Sequence, residues 1–243
     1  MQSHSHESDR PDFGTRHRVP EWMDDPTLDA DRHRHALRGL ARLNRLSSTA
    51  AALFHPLRRH VQPAGKPWRL LDIACGSGDI TLALHRRLQR AGLPVTVHGC
   101  DVSDTALDAA RARAAGAGAS DVRFFRCDVL NDPLPAGYDV MTCSLFLHHL
   151  DEPDIERLLR AMGERARLIL VDDLVRSRRN WWCVWLATRL VTRSPVVHVD
   201  GPLSIQGALT VDELASLADR AGLCGASVRP RRPARMLLEW SAG

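Results

Sequence analysis

Leu70-Leu71-Asp72-Ile73-Ala74-Cys75-Gly76-Ser77-Gly78-Asp79 is the stretch whose reading decides the fold. Leu70, Leu71 and Ile73 form a short apolar run, which predicts a buried strand. Residues 74–78 are small, and an amphipathic helical pattern then occupies residues 80–89. Strand, glycine turn and helix in that order predict a parallel α/β unit, with backbone N–H groups exposed at a helix N-terminus. A second apolar run, residues 95–100, ends on Asp101, 29 residues after Asp72. On a neighbouring parallel strand that acid stands at the carboxyl end, where it can accept two hydrogen bonds from a ribose diol.

Two cofactor classes use this geometry. A dinucleotide fingerprint places a third small residue three positions beyond the second glycine, for close helix–strand packing, and here Thr81 holds that place. The spacing Asp72-x-Ala74-x-Gly76-x-Gly78, followed by Asp101, resembles instead the class I S-adenosylmethionine-dependent methyltransferases. That family usually has glycine where this chain has Ala74. The resemblance covers residues 69–240 and implies an α/β, Rossmann-like fold: a mostly parallel seven-stranded sheet, helices on both faces and an N-terminal helical lid. It implies that S-adenosyl-L-methionine lies against Asp72, Ala74, Cys75, Gly76 and Gly78, with Asp101 and Val102 at the second strand end. Asp128 and Val129, after a third strand at 122–127, would meet the adenine, and Ser144 would close the fourth strand beside the cofactor. Residues 43–47 are similar to the corresponding segment of quinone-biosynthesis methyltransferases, which sends Arg45 toward the methionyl carboxylate.

The remaining composition narrows the class. The 243 residues suffice for one large domain or a domain with an appendage. The net charge of +4 and pI near 9.0 come from scattered arginines, with no basic block that demands nucleic acid. Six cysteines without a Cys-x-x-Cys pair read as small buried thiols of a reducing cytoplasm, and no metal site is expected. No leader peptide is read, and no apolar run approaches the ~20 residues that span a bilayer.

Residues 1–20 are polar and read as a disordered tail. Residues 21–66 read as the helical lid, with a helix start at Asp25-Pro26 and a stripe of leucines and alanines from Leu37 to Leu57 at spacings of three and four. The methyltransferase core takes residues 67–243. A fourth strand at 138–144 runs into His148-His149, the position that faces the transferable methyl group in the family. The residues there lack the Asp/Asn-Pro-Pro-aromatic turn of amino-group nucleic-acid enzymes, the Pro-Cys pair of cytosine-C5 enzymes, a metal-binding acid and paired glutamates. A helix at 153–165 and a strand at 168–171 follow, closing on Asp172-Asp173. Residues 178–209 carry Trp181, Trp182 and Trp185 and read as an acceptor-lid insertion, with Trp182 and Trp185 bordering the acceptor. Thr210 and Glu213 form a capping box for a last helix, and 226–228 and 236–240 close the sheet as a hairpin.

Together these readings lead to methyl transfer onto a small, hydrophobic acceptor, with O-methylation of a phenolic or polyketide-like compound preferred. A phenol gains from a general base, and His148, His149 and His198 are the candidates, each with a structural histidine as the alternative. An aminopropyltransferase of the same fold and a non-catalytic S-adenosylmethionine-binding subunit are the other readings.

Overall fold

A computed structural model describes residues 12–25 and 27–242. Seven strands, β1 (Trp68–Ile73), β2 (Val95–Asp101), β3 (Arg123–Arg126), β4 (Val140–Ser144), β5 (Leu168–Leu174), β6 (Ser227–Arg231) and β7 (Arg235–Ser241), form one sheet in the order β3-β2-β1-β4-β5-β7-β6. All neighbours from β3 to β5 pair parallel, and only β7 runs antiparallel to both its partners. The order reverses between β1 and β4, so a crevice opens at their carboxyl ends. This is the expected doubly wound, Rossmann-like sheet with its closing hairpin.

Strand alternation divides the core. Leu70, Val140, Leu168 and Leu170 face helices α2 (Thr49–His60) and α3 (Asp79–Arg90), where Leu53, Leu57, Leu84 and Leu88 are fully buried. Leu71, Ile73, Met141, Cys143, Ile169 and Val171 face the other way, onto α5 (Glu152–Gly163) and α8 (Val211–Arg220). Helix α4 (Asp104–Gly116) packs Ala110 and Ala114 against Phe124 of β3. The Thr210–Glu213 capping box opens α8 as expected.

A polar group interrupts this apolar layer on β1. Asp72 lies on the α2/α3 face of β1, and its carboxylate accepts from Thr81 Oγ1 of α3 at 2.5 Å and from Thr142 Oγ1 of β4 at 2.7 Å. All three side chains are buried. Burial pushes the Asp72 carboxyl up to about 6, against the lowering effect of the two threonine hydroxyls.

Three expectations for the N-terminal part are corrected. Residues 1–11 of the expected tail, and Pro26 of the expected helix start, lie outside the described residues. Residues 12–20 are docked rather than loose: the Arg16 guanidinium donates to the carbonyls of Leu147, His148, Leu150 and Gly207, and Arg176 donates to the Phe13 carbonyl. A polar segment orders itself here by satisfying orphan carbonyls at a 3-10 turn and a helix end, a gain composition does not register. Helix α1 (Ala30–Leu46) starts at Asp29, whose side chain accepts from the Asp31 and Arg32 amides, and Asp25 instead closes a local turn with Thr27. The leucine stripe is two helices, broken at Ser48 (φ +56°), and α2 belongs to the sheet layer rather than to a lid.

The sign of the Asp72 effect is testable. Its folded-state value lies above the unfolded one, so the native protein holds the proton longer, and stability falls as pH rises through about 6. Asp72→Asn mimics the protonated form. Denaturant unfolding from pH 4 to 7 should show wild type losing on the order of 3 kcal/mol relative to Asp72→Asn.

Candidate active site

The crevice is built at the carboxyl ends of β1, β2 and β4. After β1 the chain passes through Ala74 (φ +51°), Gly76 (φ +52°) and Gly78 (φ +67°) before α3 begins. The two glycines serve different ends. A Cβ on Gly78 would meet Phe124 Cζ at 2.8 Å and Ala110 Cβ at 3.0 Å, so its absence lets α3 approach α4 and β3. A Cβ on Gly76 would meet nothing within 4 Å: this residue faces open space. Asp101 braces the turn, accepting from Gly76 N at 2.8 Å and Ser103 N at 2.9 Å, which leaves lone pairs on both oxygens for a further donor. At the end of β4 the buried Ser144 Oγ has no hydrogen-bond partner among the described residues, and the next residue, Leu145, is held at φ +57°.

Beside the crevice lies a cavity of about 230 Å³. Leu40 and Leu43 of α1, Leu145, Leu174, and Val184, Ala187 and Val191 of α6 (Arg178–Val191) give it a mostly apolar wall, completed by Val197 and Gly201 of α7 (Pro195–Gly207). One cluster of polar groups gathers around His148. His148 Nδ1 lies 2.6 Å from Asp173 Oδ1 at the end of β5, and Asp173 Oδ2 accepts from the Leu147 amide at 2.7 Å. Burial raises the Asp173 carboxyl, but the His148 imidazole and the backbone amides outweigh it, and the group is held below the usual carboxylate range. With Nδ1 taken, Nε2 is the nitrogen left to His148, 3.8 Å from Glu21 Oε1. Glu21 itself accepts from Ser204 Oγ of α7. Glu21, His148 and His149 bring one donor atom each within 4.8 Å of one another, a spacing compatible with a cation.

An ionic network closes the far side. Asp172 accepts from Arg231 at 2.9 and 3.1 Å and from Arg235 at 3.1 Å. Arg235 also donates to Asn44 Oδ1 and Ser47 Oγ, and Asn44 Nδ2 donates to Asp79 Oδ2 at the start of α3. The end of α1 is thereby tied to the sheet hairpin and to the glycine turn.

Comparison with known proteins agrees with this geometry. A methyltransferase domain family matches residues 70–167. The chain is 29% identical to the ubiquinone biosynthesis O-methyltransferase of Bordetella parapertussis, over 78% of this chain and 70% of that one. It is 36% identical to the demethylmenaquinone methyltransferase of Thermus thermophilus, over 54% of this chain and 59% of that one. An O-methyltransferase family protein from Burkholderia thailandensis superposes with a TM-score of 0.62 at 17% identity, over 88% of this chain and 60% of that one. The chain carries the methyltransferase domain of S-adenosylmethionine-dependent enzymes, on the class I methyltransferase fold.

The family's cofactor is S-adenosylmethionine, and this methyltransferase has features that suit it: an open approach to the backbone at Gly76, a carboxylate with spare lone pairs at Asp101, and the unpartnered Ser144 hydroxyl. Val102, beside Asp101, is exposed at the same strand end. Asp128 and Val129 follow β3, where the Asp128 carboxylate accepts from Asn131 Nδ2 and the Leu130 amide. Other sequence candidates stand elsewhere. Asp72 is spent on Thr81 and Thr142, and the Cys75 thiol is buried beside Gly99. The expected exposed amides are also used: Gly76 N–H goes to Asp101 and Gly78 N–H to the Cys75 carbonyl. Arg45 is exposed in a groove with Arg86, Arg87 and Arg113, whereas its neighbour Asn44 makes the buried contacts. His198 is outside the cavity wall, with Nε2 2.8 Å from the Thr192 carbonyl oxygen. Trp182 points outward and Trp185 stacks under Arg189, while Cys183, Val184 and Ala187 line the cavity. The segment 178–209 does face the cavity, but through its small residues. Sequence reasoning missed Glu21, Asn44 and Asp173; of these only Asp173, at a strand end, left a signal.

The two glycines separate packing from ligand approach. Gly78→Ala should cost about 2–4 kcal/mol by clash and left-handed strain. Gly76→Ala should cost about 1 kcal/mol in stability yet weaken S-adenosylmethionine binding about tenfold or more. Thermal unfolding and calorimetry on both variants check the contrast.

Proposed function

We propose that this methyltransferase methylates the hydroxyl oxygen of a small hydrophobic phenol, with His148 as general base. The observation that carries the reading is the buried His148–Asp173 pair in the wall of a mostly apolar cavity that adjoins the end of β4. S-adenosylmethionine, when bound, supplies a methyl group that is already electrophilic on its sulfonium. Gly76, Asp101 and Val102, Asp128 and Val129, and Ser144 would hold it. The apolar wall excludes water and selects an acceptor by shape. A phenol, with an ordinary pKa of about 10, must lose its proton as the oxygen is methylated. His148 Nε2 takes that proton, while Asp173 holds Nδ1–H in the required tautomer and stabilises the imidazolium. Helices α6 and α7 act as the acceptor lid, and His149, also in the wall, orients the acceptor. The name of one relative, the ubiquinone biosynthesis O-methyltransferase of Bordetella parapertussis, supports oxygen as the acceptor atom.

Labelled S-adenosylmethionine offered with a panel of phenols should give O-methylated products; label found solely on nitrogen would reject the reading. His148→Gln should lower kcat by about 10²–10⁴, with cofactor affinity kept. His198→Ala should leave kcat nearly unchanged. Activity should survive exhaustive chelation; its loss, restored by a divalent ion, would make Glu21, His148 and His149 a metal site instead. Ala187→Phe fills the cavity from α6, and should raise the acceptor KM about tenfold or more without altering cofactor affinity.

A further inference from the structure

Helix α6 has a second face that the chemistry above leaves unused. Trp182, Leu186 and Leu190 follow one another at intervals of four, and they are 53%, 52% and 75% exposed. Trp182 packs edge-on against both Trp181 and Trp185, so the aromatic end of the stripe is stiff. The opposite face of the same helix, through Val184, Thr188 and Val191, lines the cavity. The helix is therefore apolar on two sides, and its outer side has no covering element among the described residues.

The charge of the two chain segments that carry and flank this stripe is of one sign. Arg178, Arg179, Arg189 and Arg193 are exposed at the two ends of α6, and residues 174–199 contain no aspartate or glutamate. Helix α1 packs beside α6, and residues 32–71, which include all of it after Asp31, also lack any acid while carrying Arg38, Arg42 and Arg45. The 29 acids of the chain all lie outside these two adjoining segments. An apolar ridge with tryptophan at one end and arginines at both ends is the composition of a helix that lies in a bilayer interface, its cations reaching the headgroups. Among the described residues no helix is long and apolar enough to cross a membrane.

We infer that the outer face of α6 docks on an anionic lipid surface. The place of the cavity fits that occupant. Two residues of its wall, Leu46 (67% exposed) and Cys183, are also surface residues, so the cavity reaches solvent between the end of α1 and α6, beside the ridge. Docking would set that mouth against the acyl region and let a lipid-dissolved acceptor enter without crossing water, a consequence that rests on the hydrophobic acceptor proposed above. A second copy of the chain docked face to face would set these arginines against one another.

The test uses the full chain, without acceptor or cofactor, so it stands whether or not a phenol is the substrate. Sedimentation with vesicles of phosphatidylcholine containing about one third phosphatidylglycerol should carry the protein down, and vesicles of phosphatidylcholine alone should not. Trp182→Ser with Leu186→Ser and Leu190→Ser should weaken binding about tenfold or more, and Arg178→Gln with Arg179→Gln and Arg193→Gln should weaken it and reduce its salt dependence. Both variants should keep the wild-type melting temperature and S-adenosylmethionine affinity. Equal sedimentation of wild type and the serine variant would overturn the inference. So would indifference to phosphatidylglycerol, or a wild-type dimer that the serine variant turns into a monomer.

Discussion

Asp72 is the constraint on which the other parts depend. It stands on the first strand beside the topological switch point, where the crossover to α3 and the pairing with β4 meet. A carboxylate there is costly to bury, and it is tolerated because two threonine hydroxyls, one on each neighbouring element, donate to it. The apolar contacts of β1, α3 and β4 would permit small slips in rotation or register. The hydrogen bonds to Thr81 and Thr142 do not, because any slip leaves a buried carboxylate unpaired. With α3 and β4 so fixed, the turn between β1 and α3 has one path, through Ala74 and the two glycines, and the end of β4 is aimed at the same crevice.

The cavity beside the crevice is assembled differently, from segments far apart in the chain. Glu21, Asn44, His148, Val184 and Arg235 all reach one cavity wall. Charged groups hold these segments together: Arg16 and Arg176 for the N-terminal strap, and Asp172 with Arg231 and Arg235 for the end of α1. Burial raises the Asp172 carboxyl, against the pull of the two guanidinium groups, so the network is kept only while both arginines stay in place. The crevice thus belongs to the rigid sheet, and the apolar cavity to a surrounding clamp. Such a division lets one sheet serve different acceptors by changes in the clamp alone.

The sheet and its glycine turn were the legible half. Strand, turn and helix follow from the local pattern at residues 70–90, and Asp101, Asp128 and Ser144 fall at strand ends because the strands themselves are periodic apolar runs. The capping box at Thr210 and the closing hairpin were readable for the same local reason. The errors share a cause as well. A tryptophan-rich helix announces an apolar face, but helical periodicity does not say which apolar face meets the cavity, and Trp182 turned out to be outside. Arg45 and Asn44 are adjacent, and only the packing of α1 decides that the amide is buried and the guanidinium exposed. His198 has the same chemistry as His148; a Thr192 carbonyl occupies one and an aspartate orients the other.

By itself, then, the sequence determined the doubly wound sheet, the glycine turn and the acids at the strand ends, since each arises from interactions among residues close in the chain. Only the tertiary structure decided which histidine has a carboxylate behind it, that a polar N-terminal strap supplies Glu21, and which side of α6 looks inward. Those outcomes depend on contacts between residues separated by 25 to 191 positions, whose partners no local pattern records. Burial makes each such contact decisive, because a polar group withdrawn from water must find its partner wherever the fold has put it.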